Sequence, residues 1–244
     1  MQIERYINTK YLTSSRLGTR VLPLAAASLV LIAMVIVFLI VPTEAVMGAV
    51  QRIFYFHVGS AMACYAMIAL VLVGSSFFLA SREAAWDAMA EAAAFVAFVF
   101  ASIVLVTGSI WGHSAWNTWW RWEPRLVSFL ILWLLLFSYV LLRQFSAGSE
   151  RAEAFAAVLG ILIALNVPVV IFSIKLLSHA EQLHPEVVAQ RGLRDYRFIV
   201  GLVVSNIALI AAALWFWWLR LTGTVIERSI RLGALRAHSI ERFN

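Results

Sequence analysis

Trp111-Gly112-His113-Ser114-Ala115-Trp116-Asn117-Thr118-Trp119-Trp120-Arg121-Trp122-Glu123-Pro124-Arg125-Leu126 is the stretch on which the reading of the chain turns. Five of the ten tryptophans fall in it, beside two arginines, one histidine and one carboxylate. Continued as a helix, Trp116, Trp119, Trp120 and Glu123 stand at i, i+3, i+4 and i+7 and share one face. His113 lies one turn earlier on the same side. Pro124 has no amide proton to give a helix interior, but it suits the first turn of a new helix. The spacing predicts a short aromatic helix that stops near Glu123, followed by an apolar helix from Pro124. Flat rings flanked by cations suit a large, planar, anionic ligand.

Around this stretch the chain is strongly apolar. Hydrophobic residues make up 63% of the 244, and charged residues only 13%, against about a quarter in soluble domains. The mean hydropathy is +0.88. Such a composition belongs to a membrane protein and leaves no length for a sizeable soluble domain. One cysteine, Cys64, lies within an apolar run, which removes disulfide frameworks and cysteine zinc sites and makes it a small core residue. The first apolar run starts only near Val21 and is longer than a signal-peptide core, so no cleaved leader is expected.

Six runs reach the roughly 20 residues that a helix needs to cross a bilayer. They lie near 21–42, 58–80, 90–110, 124–142, 155–177 and 198–219. All are expected to be helical, because an isolated strand leaves its backbone unsatisfied in lipid. With no fixed-period repeat, the expected fold is a single all-α bundle of six transmembrane helices spanning 1–244, with an amphipathic Trp-rich segment on its outer face. The third run is rich in alanine (Ala92, Ala93, Ala94, Ala97, Ala101), as at close helix–helix contacts in lipid. Asn166 and Pro168 interrupt the fifth run, where a kink with Asn166 bonded to a neighbouring helix is expected.

The basic residues set the orientation. Twelve of the nineteen Lys and Arg lie on one side, in the N-terminal segment, 81–89, 143–154 and the tail. This bias places both termini in the cytoplasm and the tryptophan stretch outside. The net charge of +6 is therefore a matter of topology, and no nucleic-acid partner is implied. The tail at 220–244 alternates apolar residues with arginine and is expected to lie on the anionic lipid of the inner leaflet.

Four of the five histidines (His57, His113, His179, His184) fall on the outer side, in or beside loops, and only His238 is on the other. Neutral imidazole is a common metal and haem-iron ligand. A loop histidine is otherwise simply solvated, boundary tryptophans are ordinary interfacial anchors, and flanking arginines can bind lipid phosphates.

The tryptophan stretch resembles the WWD motif of haem-handling membrane proteins, roughly W-G-x-x-W-x-x-W-W-x-W-D-x-R-L. With six spans, Arg52-Ile53-Phe54-Tyr55-Phe56-His57-Val58 before the second and Leu183-His184 before the sixth, the chain is most similar to the CcmC branch. That resemblance covers the chain from Arg52 to the sixth span. It implies haem delivery for bacterial cytochrome c maturation, a non-enzymatic assembly role in the inner membrane with haem b as bound cargo on the periplasmic side. His57 and His184 carry over as axial ligands of the iron, with His179 the runner-up for the second position. Trp111, Trp116, Trp119, Trp120, Trp122 and Glu123 carry over as the haem platform and chaperone interface. Arg52 and Arg125 carry over as partners of the haem propionates. The implied partners are haem, the haem chaperone CcmE, the ABC transporter CcmA/CcmB with CcmD, and membrane lipid. Glu123 stands where the motif has aspartate, one methylene longer, and Pro124 follows it.

Three alternatives stand beside this reading. A CcsA-type component of a haem-attaching synthase shares the WWD site, but the shorter chain and six spans argue against it. A diheme cytochrome b-type redox protein binds haem between helices inside the bilayer, so its histidines should lie well inside the spans. An ABC permease would need a longer cytoplasmic coupling segment than the inner loops provide.

Overall fold

The computed structural model describes residues 15–45, 47–145, 149–176 and 195–241. Among these, six helices are long and apolar enough to cross a membrane. They are α1 (Leu17–Ile40), α2 (Gln51–Ser81), α3 (Ala84–Trp116), α4 (Pro124–Phe145), α5 (Glu150–Leu176) and α6 (Tyr196–Glu241). Each apolar run expected from the sequence falls within one helix or overruns it by a residue or two, and α2 and α3 extend beyond their runs at both ends. Polar residues at helix ends escape a hydropathy reading although the backbone continues to bond through them.

Local chemistry sets the boundaries. Arg82 (φ 58°) ends α2, and Asn117 (φ 55°) ends α3, both in the left-handed conformation with the amide donating back to Phe78 O and His113 O. Pro124 opens α4 as expected. Asp195 caps α6, its Oδ1 accepting from the Arg197 amide at 2.8 Å.

Helices α2 and α3 pack against one another along their length, and α4 and α5 close a four-helix ring with them. The alanines of α3 explain the closeness: Ala92, Ala93, Ala94, Ala97 and Ala101 are all fully buried. Their neighbours in the core include Met67, Val71, Leu132, Leu136 and Ile163, together with Cys64. Helix α6 packs outside the ring on α2 and α3, and α1 rests on α6. The other faces present Leu, Ile, Val and Phe outward, the surface that lipid requires.

The two ends of the bundle differ in chemistry. At the end where α3 begins, Asp87 and Glu91 meet Arg143 of α4 and Arg228 of α6. Arg143 donates to both Asp87 oxygens at 3.0 and 2.7 Å and to Glu91 at 2.6 Å. Arg228 donates to Asp87 at 2.7 Å and also to Glu91. Below Arg228, Leu221 and Val225 pack on Ala88 and Ala92.

This corrects the expectation for the tail. Residues 221–228 are not a separate surface segment: they continue α6 and dock on α3 through Leu221, Val225 and Arg228. The carboxylates of Asp87 and Glu91, which no alternation pattern in the tail could reveal, draw Arg228 inward. Pro168 sits inside a continuous α5. The Asn166 Oδ1 is buried with no hydrogen-bond partner among the described residues, so the expected bond to a neighbouring helix is not made.

Candidate functional site

The opposite, aromatic end collects α2's start, α3's end, α4's start and α5's end around a cavity of about 450 Å³. That volume lies in the range of ligand pockets, roughly 300–1,000 Å³. Its apolar lining comes from Ala61, Met62, Val104, Leu105, Phe129 and Val170. The same lining includes His57, Arg121, Glu123, Arg125 and four tryptophans, Trp111, Trp116, Trp119 and Trp120.

The tryptophan stretch is built differently from the predicted aromatic helix. Helix α3 carries Trp111 and Trp116 on its last turns and stops at Asn117. Residues 117–123 then run without helix, so Trp119, Trp120 and Trp122 do not share a helical face with Trp116. Asn117 tolerates the left-handed turn that 3.6-residue periodicity ignores, and the chain folds back along α3. There Thr118 O would lie 3.1 Å from a Cβ at Gly112, so the absence of a side chain permits the return. Thr118 Oγ1 donates to Trp120 O at 3.1 Å and holds the bend.

The rings brace one another instead. His113 stacks flat on Trp119, with centroids 4.1 Å apart and planes 5° apart. Trp111 meets Trp116 edge-on at 5.0 Å, and Trp120 meets Trp122 edge-on at 5.8 Å. Trp111 is 5% exposed, whereas Trp119 is 58% and Trp122 77% exposed. Trp122 does not line the cavity. Trp111 and Glu123 are fixed in the protein, Trp119 and Trp122 face outward, and Trp116 and Trp120 are half-buried between them.

Polar groups converge on the same space. The Glu123 carboxylate is 4% exposed, with Arg121 Nε 3.7 Å from its Oε1. Arg125 reaches across to α5, its Nη2 donating to Ile171 O at 2.8 Å. The indole Nε1 groups of Trp111 and Trp120 are buried with no hydrogen-bond partner among the described residues. Unpaired buried donors are costly in an isolated protein, and here they stand beside two guanidinium groups. That donor set fits an acidic ligand.

His57 lies in the second turn of α2, deeper than the loop position expected from sequence, because α2 already starts at Gln51. Its start is braced by Gln51 Nε2 donating to Tyr55 OH at 2.7 Å, with both residues buried. The imidazole lies against α3, where a Cβ at Gly108 would come within 3.0 Å of its Cε1. Its Nδ1 is 3.0 Å from Thr107 Oγ1.

Arg52 does not line the cavity. Its Nε donates to Val37 O at 3.2 Å, and its guanidinium lies over the Phe38 ring. His179 and His184 lie outside the described residues, as does the last outer loop.

Thr107, Gly108, Met62 and Phe129 were not singled out from sequence. For Gly108 a signal existed: with Gly112 it has the G-x-x-x-G spacing of closely packed membrane helices. Thr107 had none, since a threonine in an apolar run is unremarked until His57, fifty positions away, is placed beside it.

A family model described as CcmC, Heme exporter protein C, matches residues 3–236. The chain belongs to the CcmC family. It is 31% identical over 219 residues to Heme exporter protein C of Bradyrhizobium diazoefficiens, covering 88% of this chain and 82% of the relative. The protein of that name from Rhodobacter capsulatus is 35% identical over 163 residues, 65% of this chain and 66% of its own length. The Escherichia coli K12 protein is 33% identical over 138 residues, 55% of each chain. Family membership and six apolar helices together make the chain a multi-pass membrane protein of cytochrome c biogenesis.

Proposed function

We propose that the chain holds haem b at the periplasmic face of the bacterial inner membrane and passes it to the haem chaperone CcmE. The observation that carries this reading is the joining of His57, the WWD tryptophans and Arg125 around one cavity. Haem is the cargo, and the residues position it without catalysing a bond change. His57 supplies one axial imidazole to the iron, and His184 supplies the other from the last outer loop, with His179 the runner-up. Apolar side chains from α2, α3, α4 and α5 exclude water from the buried part of the ring. The exposed faces of Trp119 and Trp122, with Trp116 and Glu123 behind them, present the free edge to the chaperone. CcmA/CcmB with CcmD release the loaded chaperone, and both termini of this chain lie in the cytoplasm.

Propionate binding falls to Arg125, assisted by the buried indole donors. Arg52 is assigned the second propionate, for which it must leave the Val37 carbonyl. A charge-assisted hydrogen bond contributes about 1.5–3 kcal/mol. Arg125→Ala is therefore expected to weaken haem retention about tenfold to a hundredfold, with Arg125→Lys recovering only part of it, because an ammonium cannot form the bidentate pair. Haem occupancy after purification measures this. Wild-type occupancy in the Arg52→Ala, Arg125→Ala double variant would remove the propionate role.

Handover is tested separately. Replacing Trp116, Trp119 and Glu123 with alanine is expected to reduce capture of the haem-bound complex with CcmE while the iron spectrum is retained, since indoles and glutamate are not ordinary ligands of haem iron. Normal capture in that variant would reduce the platform to a membrane anchor.

A further inference from the structure

We propose that Thr107 is a positioning residue that locks His57 in the Nδ1–H tautomer, leaving the Nε2 lone pair as the nitrogen offered to the cavity. The inference rests on the reading of His57 as an iron ligand and adds the device that prepares it.

A threonine hydroxyl has one proton to donate and two lone pairs to accept with. Thr107 Oγ1 lies 2.7 Å from Ile103 O, one turn back on α3. Ile103 O can only accept and is the nearer partner, with Val104 O a second acceptor at 3.4 Å, so we assign the hydroxyl proton to the α3 backbone. The same oxygen is 3.0 Å from His57 Nδ1. On that assignment Oγ1 accepts from the imidazole, and Nδ1 carries the hydrogen. In a neutral ring the other nitrogen then carries the lone pair. The chain Nδ1–H to Oγ1–H to Ile103 O runs from the cavity wall into the backbone of α3.

The setting keeps that chain in place. Gly108 leaves room for the ring, since a Cβ there would stand 3.0 Å from Cε1. The imidazole is thus held on one side by the α3 backbone and at Nδ1 by the hydroxyl, while His57 remains part of the cavity lining. A ligating histidine commonly donates its second N–H to an oxygen that fixes its tautomer and rotation, and losing such a partner typically costs about tenfold to a hundredfold in metal affinity. In this protein the partner is a hydroxyl from a neighbouring helix, so ligand geometry is tied to the α2–α3 packing.

The test uses the full-length chain in nanodiscs, with Thr107→Val to remove the acceptor at nearly constant shape and Thr107→Ser to keep it. In haem-free protein labelled with nitrogen-15 histidine, NMR is expected to give a protonated Nδ1 and a bare Nε2 for His57. Thr107→Val should shift this population toward the Nε2–H form, and Thr107→Ser should not. In haem-loaded protein, Thr107→Val should lose haem about tenfold to a hundredfold more readily, with Thr107→Ser near wild type. A protonated Nε2 in the wild type, or an unchanged tautomer in Thr107→Val, would overturn the lock. A tautomer that shifts as expected while haem retention and spectrum stay at wild type would instead overturn His57 as the ligand, and with it the purpose assigned to the lock.

Discussion

Purified from cells that make haem, a His57→Gly variant is expected to lose the low-spin absorption of bis-imidazole iron, either by losing haem or by turning high-spin. The expectation follows from ligand count. Two imidazoles saturate the axial positions, and removing one opens a site for small ligands. Because His57 lies in α2 and packs against Gly108 and Thr107 of α3, glycine leaves a hole shaped like the lost ring. Added imidazole should therefore enter it and restore the low-spin bands. His184→Gly should behave in the same way, while His179→Gly should do neither. If His179→Gly alone gave the rescued phenotype, the second ligand would be reassigned to His179. Unchanged spectra in all three variants would end the two-histidine account.

The second large effect is expected at the other end of the molecule. Asp87 is 2% exposed and accepts from both Arg143 and Arg228. Asp87→Ala leaves these two guanidinium groups to share Glu91 alone, and Arg220 lies only 3.8 Å from the same carboxylate. Breaking a buried pair by removing one partner costs about 3–5 kcal/mol, because the remaining charge is left uncompensated. Thermal unfolding in detergent should report this as a large fall in midpoint, accompanied by early release of the C-terminal part of α6 from α3. Any ligand bound to the folded chain would add stability by mass action, so the comparison belongs on haem-free protein. A midpoint equal to wild type would show that the four-residue cluster is not what holds α6 against α3 and α4.

These two predictions draw on different depths of sequence information. The helices were legible because lipid demands a long, uninterrupted apolar run, and the alanines of α3 announced a close contact that the packing bears out. Pro124 marked a helix start for a reason local to its ring. The connection at 117–123 was not legible: a 3.6-residue spacing is only a necessary condition for a shared helical face, and one asparagine in the left-handed region cancels it. Nor was the tail. Arg228 looked like its neighbours until Asp87 and Glu91, some 140 positions earlier, were placed beside it. At the site, residue types chosen for their chemistry (His57, Arg125, Glu123 and four of the five tryptophans) meet at one cavity. Arg52, which also has the right chemistry, bonds to the end of α1 instead. Type and spacing selected the candidates, and tertiary packing decided which of them share a space.

Everything proposed for the aromatic end requires haem in the cavity between His57 and the tryptophan stretch. The most direct measurement is the absorption spectrum of the wild-type chain purified in mild detergent from cells with haem synthesis intact. The predicted result is co-purifying low-spin haem whose bands collapse in His57→Gly and return with imidazole. A folded wild-type chain that carries no haem under those conditions, or one whose haem spectrum is indifferent to His57, would contradict it.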